Sequence, residues 1–225
     1  MNNTKSELNI FWFRRDLRLE DNCGLFHALK SNFPVLPLFI FDSNILETLP
    51  NRSDARVTFI FQEIKKIQEK LANFGSGLLI QVGKPLDIWK SLVENWNIQN
   101  VYVNRDYEPY ALERDQHVKQ ILKENGISFH SFKDQVIFEC DDILKEDGTA
   151  YSVYTAYKNK WVDLQSDFHL GEYETHNHVS NFIQIRDLVF PKLGEIGFQE
   201  SKMSFPDRVI DKNIIQNYHK TRDFP

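Results

Sequence analysis

Residues 54–82, DARVTFIFQEIKKIQEKLANFGSGLLIQV, decide the fold class of this chain. In the first part of this stretch, apolar side chains recur at steps of three and four residues, at Val57, Ile60, Phe61, Ile64, Ile67 and Leu71. That spacing predicts an amphipathic helix over residues 54–71 with a single apolar stripe. Residues 74–77, FGSG, end the helix, and the apolar run at residues 78–82 predicts a strand. A helix that returns to a short buried strand is the repeating unit of a parallel sheet.

The same alternation extends in both directions from this stretch. Apolar runs predict further strands at residues 9–13, 35–41, 100–103 and 127–132, and helical spacing predicts helices at 24–29, 86–96 and 109–124. Pro85 suits the start of a helix, whereas Pro37 lies inside a strand and removes a donor from its ladder. Because parallel strands need crossover connections, we expect an α/β domain over residues 1–133. Its five-stranded, mostly parallel, Rossmann-like sheet carries helices on both faces.

The rest of the chain has a weaker pattern. Residues 134–207 are mixed polar sequence with scattered glycine and proline, which predicts a long interdomain connector containing one helix at 152–164. Helical spacing returns at residues 208–221, where the apolar side chains are Ile210, Ile214, Ile215 and Tyr218. Nothing in the sequence indicates what this last apolar face would pack against.

Composition and charge exclude several classes of protein. The 225 residues are 41% hydrophobic and carry a formal net charge of −5, which argues against a nucleic-acid clamp formed by this chain alone, because phosphate binding needs a basic surface. No apolar run reaches the ~18 residues of a membrane span. The first seven residues show no secretory signal, so we expect a cytoplasmic protein. The cysteines, Cys23 and Cys140, predict no disulfide framework.

Charged and amide residues concentrate where the predicted strands end, at residues 14–16, 42–44, 83–84 and 104–108. In sheets of this kind, ligands bind beyond the carboxyl ends of the strands, so we expect a polar, planar ligand at this edge. The sequence has no glycine-rich phosphate loop and no nucleophile elbow. We expect no metal, because His176 and His178 lack further ligands at metal-binding spacing.

Five blocks, in order along the chain, resemble the DNA photolyase and cryptochrome family. The first, FWFRRDLRLEDN at residues 11–22, is similar to the amino-terminal signature of the family. The others are DARV at 54–57, NRDYEPY at 104–110 with ERD at 113–115, YSVYTAYK at 151–158 with Trp161, and NY at 217–218 with RDFP at 222–225. Together they are spread over nearly the whole chain, which makes the resemblance stronger than any single block would.

The resemblance implies that this chain is the amino-terminal antenna domain of a longer protein, with residues 208–225 as the start of a truncated FAD-binding helical domain. In photolyases, light excites reduced FAD, which donates an electron to a pyrimidine dimer in damaged DNA and so splits it. The FAD, the DNA-binding cleft and the lyase activity would lie in the missing domain. We therefore expect no catalytic residue here and no repair by this chain alone. Tyr218 matches a family position whose hydroxyl meets the FAD phosphate.

An antenna chromophore is the ligand that such a domain would bind by itself. A flat heterocycle needs apolar walls and a few aimed polar groups. The candidates are Phe41 and Ile45 as walls, Arg56 as a planar fork for an anionic edge, and Asp106 and Glu108 as hydrogen-bond acceptors. The resemblance favours a deazaflavin or FMN over a folate, because the folate type places an asparagine–glutamate pair where Tyr110 and Ala111 stand here.

Two alternatives stay open from the sequence. A cryptochrome-type blue-light photoreceptor shares these motifs, and a free-standing α/β nucleotide-binding or interaction module would keep the scaffold without the light chemistry. For the charged residues of the first block we favour a structural role, in which Asp16 pairs with an arginine and the loop fixes the sheet edge.

Overall fold

The computed structural model of this protein describes residues 6–139, 141–166, 171–186, 188–206 and 209–223. The elements in chain order are β1 (Glu7–Phe13), α1 (Cys23–Leu29), β2 (Val35–Asp42), α2 (Ser43–Leu46), α3 (Ala55–Asn73), β3 (Leu79–Gly83), α4 (Pro85–Asn95), β4 (Asn97–Asn104), α5 (Pro109–Glu124), β5 (Ser128–Phe132), α6 (Tyr154–Asp163), two 3₁₀ helices (Thr175–Asn181 and Leu193–Ile196) and α7 (Lys212–Thr221). The sequence predictions also covered residues outside the described ranges: 1–5 in the predicted α/β domain, Cys140, 167–170, Asp187 and Asp207 in the predicted connector, and Arg208, Phe224 and Pro225 in the last segment.

The sheet is parallel throughout, with the strand order β3-β2-β1-β4-β5. The chain runs outward from β1 through β2 to β3 and then crosses to the other side of β1, where β4 and β5 follow. The predicted α/β class is therefore confirmed. The strand order reverses between β1 and β4, and such a switch point is where parallel sheets bind ligands.

Strand β1 shows why helices cover both faces of the sheet. Its side chains alternate, so Leu8, Ile10 and Trp12 enter the core beneath α4 and α5. Phe11 and Phe13 enter the opposite core, beneath α1 and α3. Each large apolar side chain buried in this way stabilises the fold by about 1.5–3 kcal/mol. A strand buried on both faces reads as a near-continuous apolar run, and residues 8–13 are apolar apart from the buried Asn9.

Pro37 is accommodated in β2 because of where it falls in the ladder. The carbonyl of Val35 accepts a hydrogen bond from the N–H of Ile183 on the side of β2 that faces β3. Two residues further on, Pro37 faces the same way, and pairing with β3 begins only at Leu38. The N–H that proline lacks is therefore not required by a ladder partner.

The described residues of 171–206, which exclude residue 187, pack back onto the sheet domain. Phe182, Ile196 and Phe198 are buried in the core beneath α1 and α3, and Phe182 forms a parallel bridge with Val35. The side chain of Asn181 donates to three carbonyl groups in the loop after α1, those of Leu29, Ser31 and Phe33. The division of the chain at residue 133 stays a prediction, but these contacts tie the described part of the predicted connector to the α/β core.

The last helix, α7, begins at Lys212 and presents its apolar side chains to solvent, with Ile214 65% exposed and Ile215 59% exposed. Helix α6 likewise buries none of its residues within the described chain. None of the described helices combines the length and the apolar character that crossing a bilayer requires.

Candidate functional site

The loops that leave β1 and β4 are joined by a hydrogen-bond hub at the switch point. The side-chain amide of Asn104 donates to Asp16 Oδ2 at 2.6 Å and to Asn22 Oδ1 at 2.8 Å. Its own oxygen accepts the backbone N–H of Gly24 at 2.8 Å. Asp16 Oδ1 also accepts the backbone N–H of Arg14 at 2.9 Å. Removal from bulk water raises the pKa of Asp16, and the donors Arg14 and Asn104 oppose that rise.

Position 24 requires glycine because α1 approaches this hub closely. A Cβ atom there would lie 2.7 Å from Asn104 Oδ1 and 3.2 Å from the backbone carbon of Val103. Glycine therefore lets the first turn of α1 rest directly on the end of β4. The hydrogen bonds of the hub therefore fix the loops that carry the surrounding charged side chains.

Beside the hub, two arginines flank the indole of Trp12. The Cζ atom of Arg114 lies 4.9 Å from the ring centroid and that of Arg14 lies 5.3 Å from it. Arg14 pairs with Asp115 and donates to the carbonyl of Asn104, while Arg114 pairs with the same Asp115 at 2.9 Å. Both guanidinium groups are buried. One carboxylate thus serves two cations, and net positive charge lies against the tryptophan.

A cleft of about 280 Å³ opens between the carboxyl ends of β1 and β2. We call it the β1–β2 cleft, and its lining side chains are Trp12, Phe13, Arg14, Arg15, Phe39, Ile40, Phe41, Asp42, Ile45, Leu46, Val57, Ile60, Asp106, Glu108 and Arg114. Most of these are apolar or aromatic, and the charged groups Arg15, Asp106 and Glu108 are joined by ion pairs, which define what we call the charged end of the cleft. Apolar walls with a few convergent polar groups are the usual composition of a small-molecule site.

A hydrogen-bonded cluster supports one side of this cleft. Asp42 accepts the backbone N–H of Asn44 at 2.9 Å, as the N-cap of α2, and accepts the hydroxyl of Tyr110 at 2.6 Å. Burial and the hydrogen bond to Asp42 raise the pKa of Tyr110 to about 12. The tyrosine is therefore a neutral donor at physiological pH, and it ties the end of β2 to the start of α5.

The structure brings four of the five predicted antenna residues together. Phe41 and Ile45 lie in the walls of the β1–β2 cleft, and Asp106 and Glu108 lie at its charged end. Both carboxylates are held by Arg15, which lies 2.7 Å from Glu108 Oε1 and 3.5 Å from Asp106 Oδ1. Convergence of residues that are distant in sequence makes this edge a candidate site, while their role in binding stays a prediction.

Two other predicted residues lie elsewhere. Arg56 is exposed and holds Asp54, the N-cap of α3, with its Nη2 atom 2.7 Å from Asp54 Oδ2, and it does not belong to the cleft lining. Tyr218 lies on α7 with 61% of its surface exposed. Its contact with FAD stays a prediction, because the exposed hydroxyl faces no binding site formed by the described residues.

A second cleft, of about 330 Å³, adjoins the first at the switch point. Its lining is polar and charged, and consists of Arg14, Arg15, Asp16, Arg18, Asn104, Arg105, Asp106, Asp134 and Gln135. Its arginines are already paired: Arg18 holds Asp134 at 2.8 Å, and Arg105 pairs with Glu139. These pairs are consistent with the structural role predicted for the first block. The predicted pairing of Asp16 with an arginine is corrected, because its carboxylate accepts the backbone N–H of Arg14 and the side-chain amides of Asn104 and Asn22, and no guanidinium group holds it among the described contacts.

Sequence reasoning missed Trp12, Arg114 and Tyr110 as parts of the site. The charged residues at the ends of the predicted strands indicated where the site lies. The helical pattern also offered a way to find two of its members, since Tyr110 and Arg114 are one turn apart on α5 and face the same way. Trp12 gave no such signal, because an aromatic residue inside a buried strand is typical of core packing. Among the described residues, no group of three or more potential metal ligands occurs.

Comparison with known proteins identifies relatives of this chain. A family model described as DNA photolyase matches residues 9–173. The chain is 36% identical over 152 residues to a deoxyribodipyrimidine photo-lyase of Synechococcus sp., an alignment that covers 68% of this chain and 31% of the relative. It is 28% identical over 238 residues to the deoxyribodipyrimidine photo-lyase of Halobacterium salinarum, covering 97% of this chain and 49% of the relative. The chain thus spans less than half of either relative.

Among solved structures, an archaeal photolyase from Sulfolobus tokodaii superposes with a TM-score of 0.62 and 30% identity, covering 71% of this chain and 35% of that one. That structure is described as containing two FAD molecules, with the implication of a novel light-harvesting cofactor. The superposition agrees with the parallel sheet and its flanking helices.

Proposed function

This chain belongs to the DNA photolyase family, and we propose that its β1–β2 cleft binds a light-harvesting chromophore for a light-dependent DNA repair enzyme. The observation that carries the proposal is the composition of the cleft, which joins flat aromatic and aliphatic walls to one charged end. The FAD and damaged DNA of the repair reaction are proposed for the protein as a whole. Tyr218 is the residue of this chain that we propose for contact with that FAD.

The volume of the cleft favours insertion of a ring system over enclosure of a whole dinucleotide. It is about 280 Å³, just below the roughly 300–1,000 Å³ usual for small-molecule pockets, and the cleft is open to solvent. In this proposal a tricyclic flavin or deazaflavin ring would lie against Phe41 and Ile45 of the lining, and its side chain would leave through the mouth. This supports the preference for a deazaflavin or FMN. The Sulfolobus tokodaii relative, described with a second FAD, supports a flavin-type ring as well.

The charged end supplies hydrogen-bond acceptors for such a ring. Asp106 is buried and Glu108 is exposed, and the guanidinium group of Arg15 holds both. Ring N–H groups and ribityl hydroxyls would donate to these carboxylates, while Arg15 would donate to ring carbonyl oxygens. Arg56 would contribute only after release from Asp54, so we expect it to add little to binding. When bound, the chromophore supplies visible-light absorption, which the side chains of this chain lack.

A fluorescence titration tests this proposal. FMN, FAD, riboflavin, a deazaflavin and a methenyl-folate are each titrated into the chain, and we expect the flavin-type ligands to bind more tightly than the folate. Ile45→Arg places a long charged side chain in the cleft wall and should abolish binding. Leu112→Arg is the matched control, since Leu112 is 55% exposed on α5 and outside the lining. Equal affinities of Ile45→Arg and Leu112→Arg would refute the proposed site.

A further inference from the structure

The surroundings of Trp12 suggest a task beyond packing. Its indole borders the β1–β2 cleft, yet only 2% of the residue is exposed, so one narrow edge faces the space where a chromophore would lie. The cationic groups of Arg14 and Arg114 lie 5.3 and 4.9 Å from the ring centroid. Asp115 is the carboxylate that pairs with both arginines. The three charged groups therefore leave one positive charge beside the ring.

A tryptophan at this position could quench the excited state of a bound light-harvesting chromophore. Indole is readily oxidised, and a photoexcited flavin-type ring is a strong one-electron oxidant. If such a ring were bound, one electron could pass from the indole to the excited ring, which would leave the indole as a radical cation and the ring reduced by one electron. Return of that electron would restore both groups and release the excitation as heat. The excitation is then lost before it can pass to a second chromophore.

Positive charge beside the indole opposes this loss. A radical cation on Trp12 would be repelled by both guanidinium groups, and the interaction is strong because the groups are shielded from water. Transfer of the positive charge from Trp12 to Trp89, whose ring centroid lies 5.4 Å from that of Trp12, would stabilise the charge little. The buried indole N–H of Trp89 has no hydrogen-bond partner among the described residues, so no base there stabilises the radical by accepting a proton.

We propose that Arg14 and Arg114 suppress electron donation from Trp12 and so preserve the excited state of a chromophore bound in the β1–β2 cleft. The inference rests on the proposed function and adds a requirement to it. The arginines act through Trp12, as positioning residues that set how readily the indole is oxidised. A role limited to fastening β1 to α5 would leave the lifetime of the excited chromophore unchanged.

The test is the fluorescence lifetime of FMN bound to the chain, recorded for the bound fraction alone. Arg114→Gln removes one cation and leaves Arg14 neutralised by Asp115, and we expect the lifetime to shorten severalfold. Arg114→Lys keeps the charge and should keep the lifetime. Adding Trp12→Phe to Arg114→Gln removes the electron donor and should restore the lifetime. Asp115→Asn works in the opposite direction, because it leaves both cations without the carboxylate, and should lengthen the lifetime.

The outcomes separate this inference from the proposed function. If the unsubstituted chain does not bind FMN, the proposed site fails and this inference fails with it. If FMN binds and the lifetime in Arg114→Gln equals that in Arg114→Lys, the inference alone is overturned. A shortened lifetime that Trp12→Phe does not restore also overturns it, since the quencher would be another group. Where Arg114→Gln does not fold, Asp115→Asn decides: a longer fluorescence lifetime supports the inference, and an unchanged or shorter lifetime overturns it.

Discussion

Replacing Asn104 by alanine removes the hub that joins the exits of β1 and β4. Three hydrogen bonds are lost together: those to Asp16 and Asn22, and the one accepted from the N–H of Gly24. Asn22 Oδ1 keeps a donor, because it also accepts the N–H of Leu25 at 3.1 Å. The N–H of Gly24 loses its acceptor in a buried place. The carboxylate of Asp16 keeps the N–H of Arg14 at 2.9 Å and the amide of Asn22 at 3.4 Å, but loses its closest donor.

The magnitude follows from these losses. A buried donor left without an acceptor costs about 1–3 kcal/mol, and a hydrogen bond to a charged group contributes about 1.5–3 kcal/mol. We therefore expect Asn104→Ala to lower the free energy of unfolding by about 3–5 kcal/mol, a large part of the roughly 5–15 kcal/mol available to a domain. At about 2–4 °C per kcal/mol, the midpoint of thermal unfolding should fall by roughly 10 °C.

Urea denaturation followed by tryptophan fluorescence and circular dichroism measures this change. Asn177→Ala is the matched control, because the side chain of Asn177 bonds to Glu174 on the surface, and we expect a change within about 0.5 kcal/mol. A loss below about 1 kcal/mol in Asn104→Ala would refute the reasoning, since it would mean that water or a rearranged loop satisfies the hub.

Three further predictions concern packing and protonation. Gly24→Ala should destabilise the fold by about 1–3 kcal/mol, because its Cβ would lie 2.7 Å from Asn104 Oδ1; an unchanged urea midpoint would contradict this. The guanidinium group of Arg56 lowers the pKa of Asp54 to about 2, below the ordinary 3.8. Its stabilisation is therefore present above pH 3.8 and lost as the pH falls toward about 2, so the stability difference between the chain and Asp54→Asn should shrink over that range. A constant difference would show that the pair is not formed. Burial and an acceptor carboxylate raise the pKa of Tyr110 from 10.0 to about 12, so its contribution is complete below pH 10.0 and lost as the pH rises through about 12. Ultraviolet titration of Tyr110→Phe should lack one late-ionising tyrosine, and an unaltered late step would count against the bond.

The sheet domain could be predicted from sequence because its signals are local. The helix at 109–124 was predicted with its observed bounds, since Pro109 marks its first residue and Gly126, at a φ of 73°, follows its end. Strand β4 begins at Asn97, three residues before the predicted start. Polar side chains at its beginning interrupt the apolar run, so periodicity alone could not find them.

The path of segment 171–206 could not be predicted for the opposite reason. Phe182 is an isolated aromatic residue in a polar stretch, and its burial depends on a bridge to Val35, far away in the chain. No local pattern encodes a pairing of that kind. The register between two distant segments is decided by the tertiary fold, which packs Phe182 beside the buried side chains of α1 and α3.

The position of the candidate site could be predicted from the sequence, but only some of the residues that form it could. Parallel strands bring their carboxyl ends to one edge, so Asp106 and Glu108 were expected near Phe41 and lie with it around the β1–β2 cleft. The stacking of Arg114 on Trp12 joins a helix and a strand about a hundred residues apart, which spacing cannot show. Which of these residues bind a chromophore remains a prediction.

The most direct test of the account is a crystal structure of the chain soaked with FMN. We predict electron density for the flavin ring in the β1–β2 cleft, against Phe41 and Ile45, with Asp106 or Arg15 within hydrogen-bond distance of the ring or its ribityl chain. Flavin density at another place, or an unfilled cleft at a concentration that saturates binding in solution, would contradict the central claim.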